Sequence, residues 1–209
     1  MEFSLLAQRI IDGDLDSVLD EVQRCLAEGV SPQKIMDDHL IPAMSEVGRL
    51  FEEGEYFVPE LMISARAMQS AMKVLNPLLT GSGIQKVGRV VIGTVKGDFH
   101  DIGKNLVAAM LEGGGFEVVD LGVDVSPEQF TEAAQKQTGT LVAMSALLTT
   151  TMPQMKKVIE QLETSGLRGT SKVIVGGAPV THEFATMIGA DGYSDNASAA
   201  VTLAKSFFA

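Results

Sequence analysis

Two kinds of hydrophobic spacing divide the chain near residue 82. Before that point, apolar residues recur every three or four positions. Leu15, Val18, Leu19, Val22 and Leu26 share one helical face at this spacing. Ser31-Pro32 supplies an N-cap followed by proline at the first helical position. Val58-Pro59 opens another helix in a similar way, after the turn-like Glu53-Gly54-Glu55. On that helix Met62, Ala65, Met68, Met72, Leu75 and Leu79 form a long stripe. Four amphipathic helices of this kind are expected to pack as a small bundle. Thr80-Gly81-Ser82-Gly83 then breaks the pattern with small residues, which sets the expected domains at residues 1–82 and 83–209.

From Val87 the spacing changes. Val90-Val91-Ile92-Gly93-Thr94-Val95 is a short, β-branched apolar run of the type found in strands buried on both faces. A helical stretch follows from Asp101 to Leu111 and stops at Gly113-Gly114-Gly115. Further strands are expected at Phe116–Leu121, Leu141–Ser145 and Lys172–Val175, with a weaker one at Gly192–Ser194. Helical stretches separate them at Pro127–Gln137, Pro153–Leu162, His182–Ile188 and Ala197–Phe207. Regular alternation of strand and helix predicts a parallel sheet covered on both faces. The fold class expected for the whole chain is α/β: an N-terminal four-helix bundle cap, then a flavodoxin-like, doubly wound, five-stranded parallel sheet.

Composition narrows the classes of function. Of 209 residues, 45% are hydrophobic and 21% charged, which suits a folded globular protein and argues against disorder. The formal net charge of −11 disfavours nucleic acid and anionic membrane surfaces as partners. Cys25, the single cysteine, excludes an internal disulfide and a cysteine-based metal cluster, and its helical context suits a buried thiol. Met1-Glu2-Phe3-Ser4 lacks the basic start of a signal peptide, and no apolar run reaches membrane-spanning length, so a cytoplasmic location is expected.

The loop after the first strand is Lys96-Gly97-Asp98-Phe99-His100-Asp101-Ile102-Gly103. In open α/β sheets ligands bind outside the carboxyl ends of the strands, near the switch in strand order, so this loop stands where a ligand is expected. Asp98 and His100 are close enough in sequence for the carboxylate to accept a hydrogen bond from the imidazole. That contact fixes the tautomer and leaves the other ring nitrogen free to bind a metal. Gly103 lets the next helix start close to whatever occupies the loop. One histidine and one carboxylate are too few for a protein-only zinc site. A cofactor that brings most of its own metal ligands would meet that shortage, as a corrin ring does.

Asp98-x-His100-x-x-Gly103, then Ser145-x-Leu147, then Gly176-Gly177 resembles the three-part signature of cobalamin-binding domains that take the cofactor base-off, with histidine on cobalt. The three parts follow the first, third and fourth strands, in the order that signature requires. The resemblance implies that Gly97, Asp98, Phe99, His100, Asp101, Ile102 and Gly103 form the cofactor loop, with His100 as the lower ligand of cobalt. It further implies that the displaced nucleotide tail inserts between sheet and helices. Ser145 and Thr149 would then hydrogen-bond its base or linker, Gly176 and Gly177 would leave it room, and Ala197 would lie against its end. In methionine synthase relatives a serine completes a chain with the aspartate and histidine. Thr151 stands at that position and keeps the hydroxyl, so proton uptake by the chain should accompany loss of histidine from cobalt.

The first half resembles the helical cap of methyltransferase corrinoid proteins, through Glu53–Leu61 and Ser64-Ala65-Arg66-Ala67-Met68. The cap implies contacts from Phe57 and Met62 to the upper face of the corrin, although most of the 11 methionines are expected to be core filler. The implied function is a methyl carrier with no complete active site of its own. It would cycle between cob(I)alamin and methylcobalamin, using a substrate:corrinoid methyltransferase, a second methyltransferase to tetrahydrofolate or coenzyme M, and a reductive activase. The methyl donor (methylamine, methanol, betaine or an aromatic methyl ether) is not encoded in any residue singled out above. Two alternatives share the binding domain: the B12 subunit of an adenosylcobalamin-dependent mutase, which the helical cap disfavours, and a B12-based sensor, which needs a DNA-binding module. His100-Asp101 followed by Gly103-Lys104 also matches the local motif of HD-type phosphohydrolases. Those enzymes are all-helical and need further histidines, and here only His39 and His182 remain.

Overall fold

The computed structural model describes residues 4–79 and 86–208. The chain divides into two compact units, Met1–Lys86 with Glu112–Gly115, and Val87–Leu111 with Phe116–Ala209. The interruption expected at Thr80–Gly83 lies outside the described residues.

The first unit contains α1 (Leu5–Ile11), α2 (Leu15–Ala27), α3 (Pro32–Ile35), α4 (Ile41–Glu52) and α5 (Val58–Leu79). Side chains cap the starts of three of them: Ser4 accepts from the Ala7 amide, Asp14 from Ser17 and Ser31 from Lys34. A single π turn, Met36–Leu40, joins α3 to α4 into one continuous rod, so four rods form the bundle. Pro42 explains that turn. It has no N–H to offer the preceding turn and its ring crowds the carbonyl there, so the helix widens by one residue. The Ile41 amide accordingly donates to the carbonyl of Met36, five residues back.

Burial corrects the expected face of α2. Val18, Val22 and Cys25 are buried, whereas Leu15 and Leu19 are exposed. At about 100° per residue, Leu19 stands more than a quarter-turn from Val18 and falls outside the narrow face that α2 turns inward. On α5 the buried face is wider than the predicted stripe. Leu61, Ser64, Ala67 and Ala71 join Ala65, Met68, Met72 and Leu75, while Met62 is only half-buried. Small residues among the methionines let α5 pack closely against α2 and α4. Cys25 is buried and free, as expected.

After α5 the chain alternates β1 (Arg89–Thr94), α6 (Ile102–Gly113), β2 (Glu117–Asp120), α7 (Pro127–Gln135), β3 (Leu141–Ser145), α8 (Pro153–Thr164), β4 (Lys172–Gly176), α9 (His182–Ile188), β5 (Gly192–Ser194) and α10 (Ala197–Ser206). The strands pair in parallel in the order β2-β1-β3-β4-β5, the flavodoxin-like order. Alternate residues serve opposite faces. Val91, Val142, Met144, Val173 and Val175 pack with Phe130, Met155 and Ile159 from α7 and α8. Val90, Ile92, Leu141, Ala143 and Ile174 pack on the other face with Ala108, Leu111 and Ala204 from α6 and α10. The register aligns Thr94, Ser145, Gly176 and Ser194 in one row across the carboxyl ends of four strands. The strand order reverses between β1 and β3, at that same end. Among the described residues no helix is long and apolar enough to cross a membrane.

Candidate cofactor site

Asp98 is the hub of the site. It lies in the loop from β1 to α6, and its side chain is fully buried. One carboxylate oxygen accepts from His100 Nδ1 at 2.7 Å and from the His100 amide at 3.2 Å. The other accepts from the amides of Leu147 (2.8 Å) and Leu148 (3.2 Å) and from Thr151 Oγ1 at 2.7 Å. Burial by itself opposes ionisation. The hydrogen bonds from Thr151, His100 and the backbone outweigh it and hold the Asp98 carboxyl well below the usual carboxylate range. Asp98 is therefore an anion at neutral pH, and it orients the ring of His100 through Nδ1.

The backbone of His100 is held as well. Thr94, fully buried as the last residue of β1, donates its hydroxyl to the His100 carbonyl at 2.8 Å. The ring itself is half-exposed, and among the described residues Nε2 meets no hydrogen-bond partner. Around it stand large apolar side chains left in solvent: Phe99 at 69% exposure, Ile102 at 70%, Leu147 at 43% and Leu148 at 42%. Such a concentration of exposed apolar surface at the ligand end of a sheet marks a binding surface. Among the described residues no three His, Cys, Asp or Glu side chains gather as a metal cluster. One oriented imidazole with an apolar rim fits a flat group that brings its own equatorial metal ligands.

The start of α6 is fixed by an ion pair between a buried lysine and an exposed aspartate. Lys104, on the first turn, reaches Asp120 at the end of β2 and donates to Asn105 Oδ1 at 2.6 Å. Asp120 also accepts from the Gly122 amide at 2.8 Å. On the first turn the Asn105 amide donates to the Asp101 carbonyl at 2.7 Å, with Asp101 just outside the helix.

The remaining expected residues divide into those near the hub and those apart from it. Gly97 turns the loop with φ +83°, a conformation that a side chain would strain. Ser145 ends β3 half-buried, and its carbonyl accepts from the Val95 amide. Thr149 is exposed in the loop between Leu148 and Thr151. Gly176 sits in the row of strand ends. Gly177 has φ +127°, and a Cβ there would lie 1.9 Å from the Ala146 carbonyl oxygen. The close approach of the β3 and β4 loops therefore requires this glycine whatever binds nearby. Ala197 is buried at the first position of α10, which Asn196 caps. Phe57 and Met62 belong to the helical unit, Phe57 being 65% exposed just before α5. Thr94, Asp120 and the Leu148 amide carry no site role in the sequence, and Lys104 appears there only within the HD-type motif. Only Thr94 left a signal, as a hydroxyl closing an otherwise apolar strand.

A parallel sheet with a histidine loop at its switch point and a helical bundle before it is the architecture of a cobalamin-binding protein with a helical cap. Residues 88–202 match the B12 binding domain, and residues 3–76 match a second family described in the same words. Dimethylamine corrinoid protein 1 of Methanosarcina acetivorans is 44% identical over 98% of this chain and 96% of its own length. A cobalamin-binding protein from Desulfitobacterium hafniense, known from its crystal structure, superposes with a TM-score of 0.80 at 32% identity, over 99% of this chain and 98% of its own. A chain of the methanol:cobalamin methyltransferase complex of Methanosarcina barkeri superposes with a TM-score of 0.85 at 34% identity, over 97% of this chain and 78% of its own. The chain belongs to the cobalamin-binding corrinoid proteins of methyltransferase systems.

Proposed function

We propose that this protein is a methyl carrier that holds cobalamin base-off, with His100 as the lower ligand of cobalt. The supporting observation is the Asp98 hub: a buried anion fixes His100 through Nδ1 while Nε2 has no partner among the described residues, at an apolar rim. Orienting an imidazole through its second nitrogen raises its basicity toward a metal. Bound there, the cofactor supplies a metal that accepts a methyl group and gives it up again. The chain's own residues do the rest. Asp98 and Thr94 would hold His100 in place for the metal, and Thr151 offers a hydroxyl through which a proton could reach Asp98. Ser145, Thr149, Gly176, Gly177 and Ala197 would line the path of the nucleotide tail, and Phe57 and Met62 of the helical unit are the cap residues that the family resemblance offers for cofactor contact.

The partners in this reading are two methyltransferases and a reductive activase. The names of the relatives point to dimethylamine and methanol as donors to compare. The test is reconstitution with hydroxocobalamin. A base-off spectrum with nitrogen hyperfine splitting in the Co(II) form is expected, and His100→Ala should lose that splitting. Absence of any corrinoid uptake by the wild type overturns the reading. Incubation of the reduced holoprotein with each donor and its cognate methyltransferase then identifies the donor by the methyl–cobalt absorbance.

A further inference from the structure

The β1–α6 loop is held from two sides, and only one side is Asp98's own network. On the other side runs the segment Leu121–Val125 after β2, laced to the end of β1. The Leu121 amide donates to Ile92, the Thr94 amide to Gly122, and the Val125 amide to Thr94, at 2.8, 3.0 and 2.9 Å. Val95 and Val125 form a parallel bridge beyond the strands. At the tip, Asp124 grips the loop with two groups at once. Its carboxylate accepts from the Gly97 amide at 2.7 Å, and its amide donates to the Asp98 carbonyl at 3.0 Å.

Asp124 is the one non-glycine residue with positive φ (55°) among those described. That backbone is unfavourable for an L side chain, though aspartate tolerates it better than most. Glycine would occupy the position without strain, yet it would lack the carboxylate that reaches Gly97. Asp124 is exposed and joins no ion pair among the described residues, so the residue's visible contacts are those two bonds to the loop.

We infer that Asp124 is a positioning residue: it sets the height of the Gly97-Asp98 turn, and with it the aim of His100. The inference rests on the reading of His100 as the metal ligand. Without Asp124 the loop would keep the Leu147, Leu148 and Thr151 bonds to Asp98, the Asp98 amide on the Val95 carbonyl and Thr94 on the His100 carbonyl, all of them from β1 and the β3 loop and none from the β2 side. The Asp124 clamp adds the restraint from that opposite side.

The test compares Asp124→Gly, Asp124→Asn and wild type, each as the full chain. Asp124→Gly keeps the backbone bond to Asp98, relieves the strained φ and deletes only the carboxylate. Its apoprotein should melt within about 3 °C of wild type, because strain relief offsets the lost bond and the added chain entropy. Its affinity for hydroxocobalamin should fall about tenfold, the scale of one charge-assisted hydrogen bond. The Co(II) form should show partial loss of nitrogen hyperfine splitting. Asp124→Asn keeps an acceptor and should restore both properties to within about twofold. Unchanged affinity and full nitrogen splitting in Asp124→Gly overturn the inference. So does failure of Asn to rescue, or a melting loss of more than about 10 °C, which would make Asp124 a fold element. If wild type itself shows no nitrogen on cobalt, the reading of His100 falls first, and that result is distinct from normal ligation in every variant.

Discussion

The two ends of the parallel sheet use the same physical device for opposite purposes. At the amino ends, buried charge closes on itself. Arg89, the first residue of β1, is nearly fully buried and donates to the Ala133 carbonyl at 2.9 Å and to Thr140 at 3.4 Å, with Glu117 beside it at 3.5 Å. Asp191 is held between Arg168 and Lys172 and accepts from the Val173 amide. At the carboxyl ends Asp98 is satisfied just as completely, but its chain of bonds ends on a half-exposed imidazole. A closed network staples strands together. An open one orients a half-exposed imidazole, and the exposed Phe99 and Ile102 beside it show that this end gives up apolar burial as well.

Substitutions should separate the two uses, beginning with the largest effect. Asp98→Ala strands several buried donors at once and should cost the apoprotein about 4 kcal/mol by chemical denaturation. It should also abolish nitrogen ligation of the cobalt. A variant of near wild-type stability would mean that the hub does not tie the β1 and β3 loops together. Arg89→Met keeps much of the buried stem and removes the guanidinium, and should cost about 2 kcal/mol while leaving hydroxocobalamin affinity unchanged. Loss of affinity in Arg89→Met would break the distinction between the two ends. Thr151→Val deletes one donor to Asp98 and should cost about 1 kcal/mol, with Thr151→Ser close to wild type.

The pH dependence sharpens the same contrast. Asp98 has its folded-state pKa depressed, so the unfolded chain takes up the proton first as pH falls. The extra stability of wild type over Asp98→Asn should be fully present above about pH 4, near the unfolded value. It should shrink as pH drops from there toward the folded value. Denaturant midpoints for both proteins across pH 7 to 3 check this, and a gap that stays constant to pH 3 would contradict it.

How far the sequence revealed these features depends on which atoms carry them. The strands were legible because Val90–Val95, Leu141–Ser145 and Lys172–Val175 are short β-branched or apolar runs, and their parallel order followed from alternation with helices. The bundle was legible in outline. Leu15 and Leu19 misled because an apolar stripe can be wider than the face its neighbours cover. Asp98, His100 and Thr151 were visible because side chains make their contacts, and a side chain has a letter. The amides of Leu147 and Leu148 have none, and their place against Asp98 follows from where β3 ends beside β1. Asp124 was hidden for a related reason: its left-handed backbone and its grip on Gly97 arise from the register of β1 on β2. Lys104 and Asp120 lie 16 residues apart and meet only once that register is set.

The bonds from Leu147 and Leu148 to Asp98 also bear on how the site moves. Both side chains lie open to solvent in a loop, where amide hydrogens ordinarily exchange quickly. Their N–H groups nevertheless point inward to a carboxylate that must let go before water and base can reach them. Deuterium uptake at these two amides therefore reports how often the ligand loop springs open in the resting protein. The folded chain carries its own clock for the opening of the loop that holds His100.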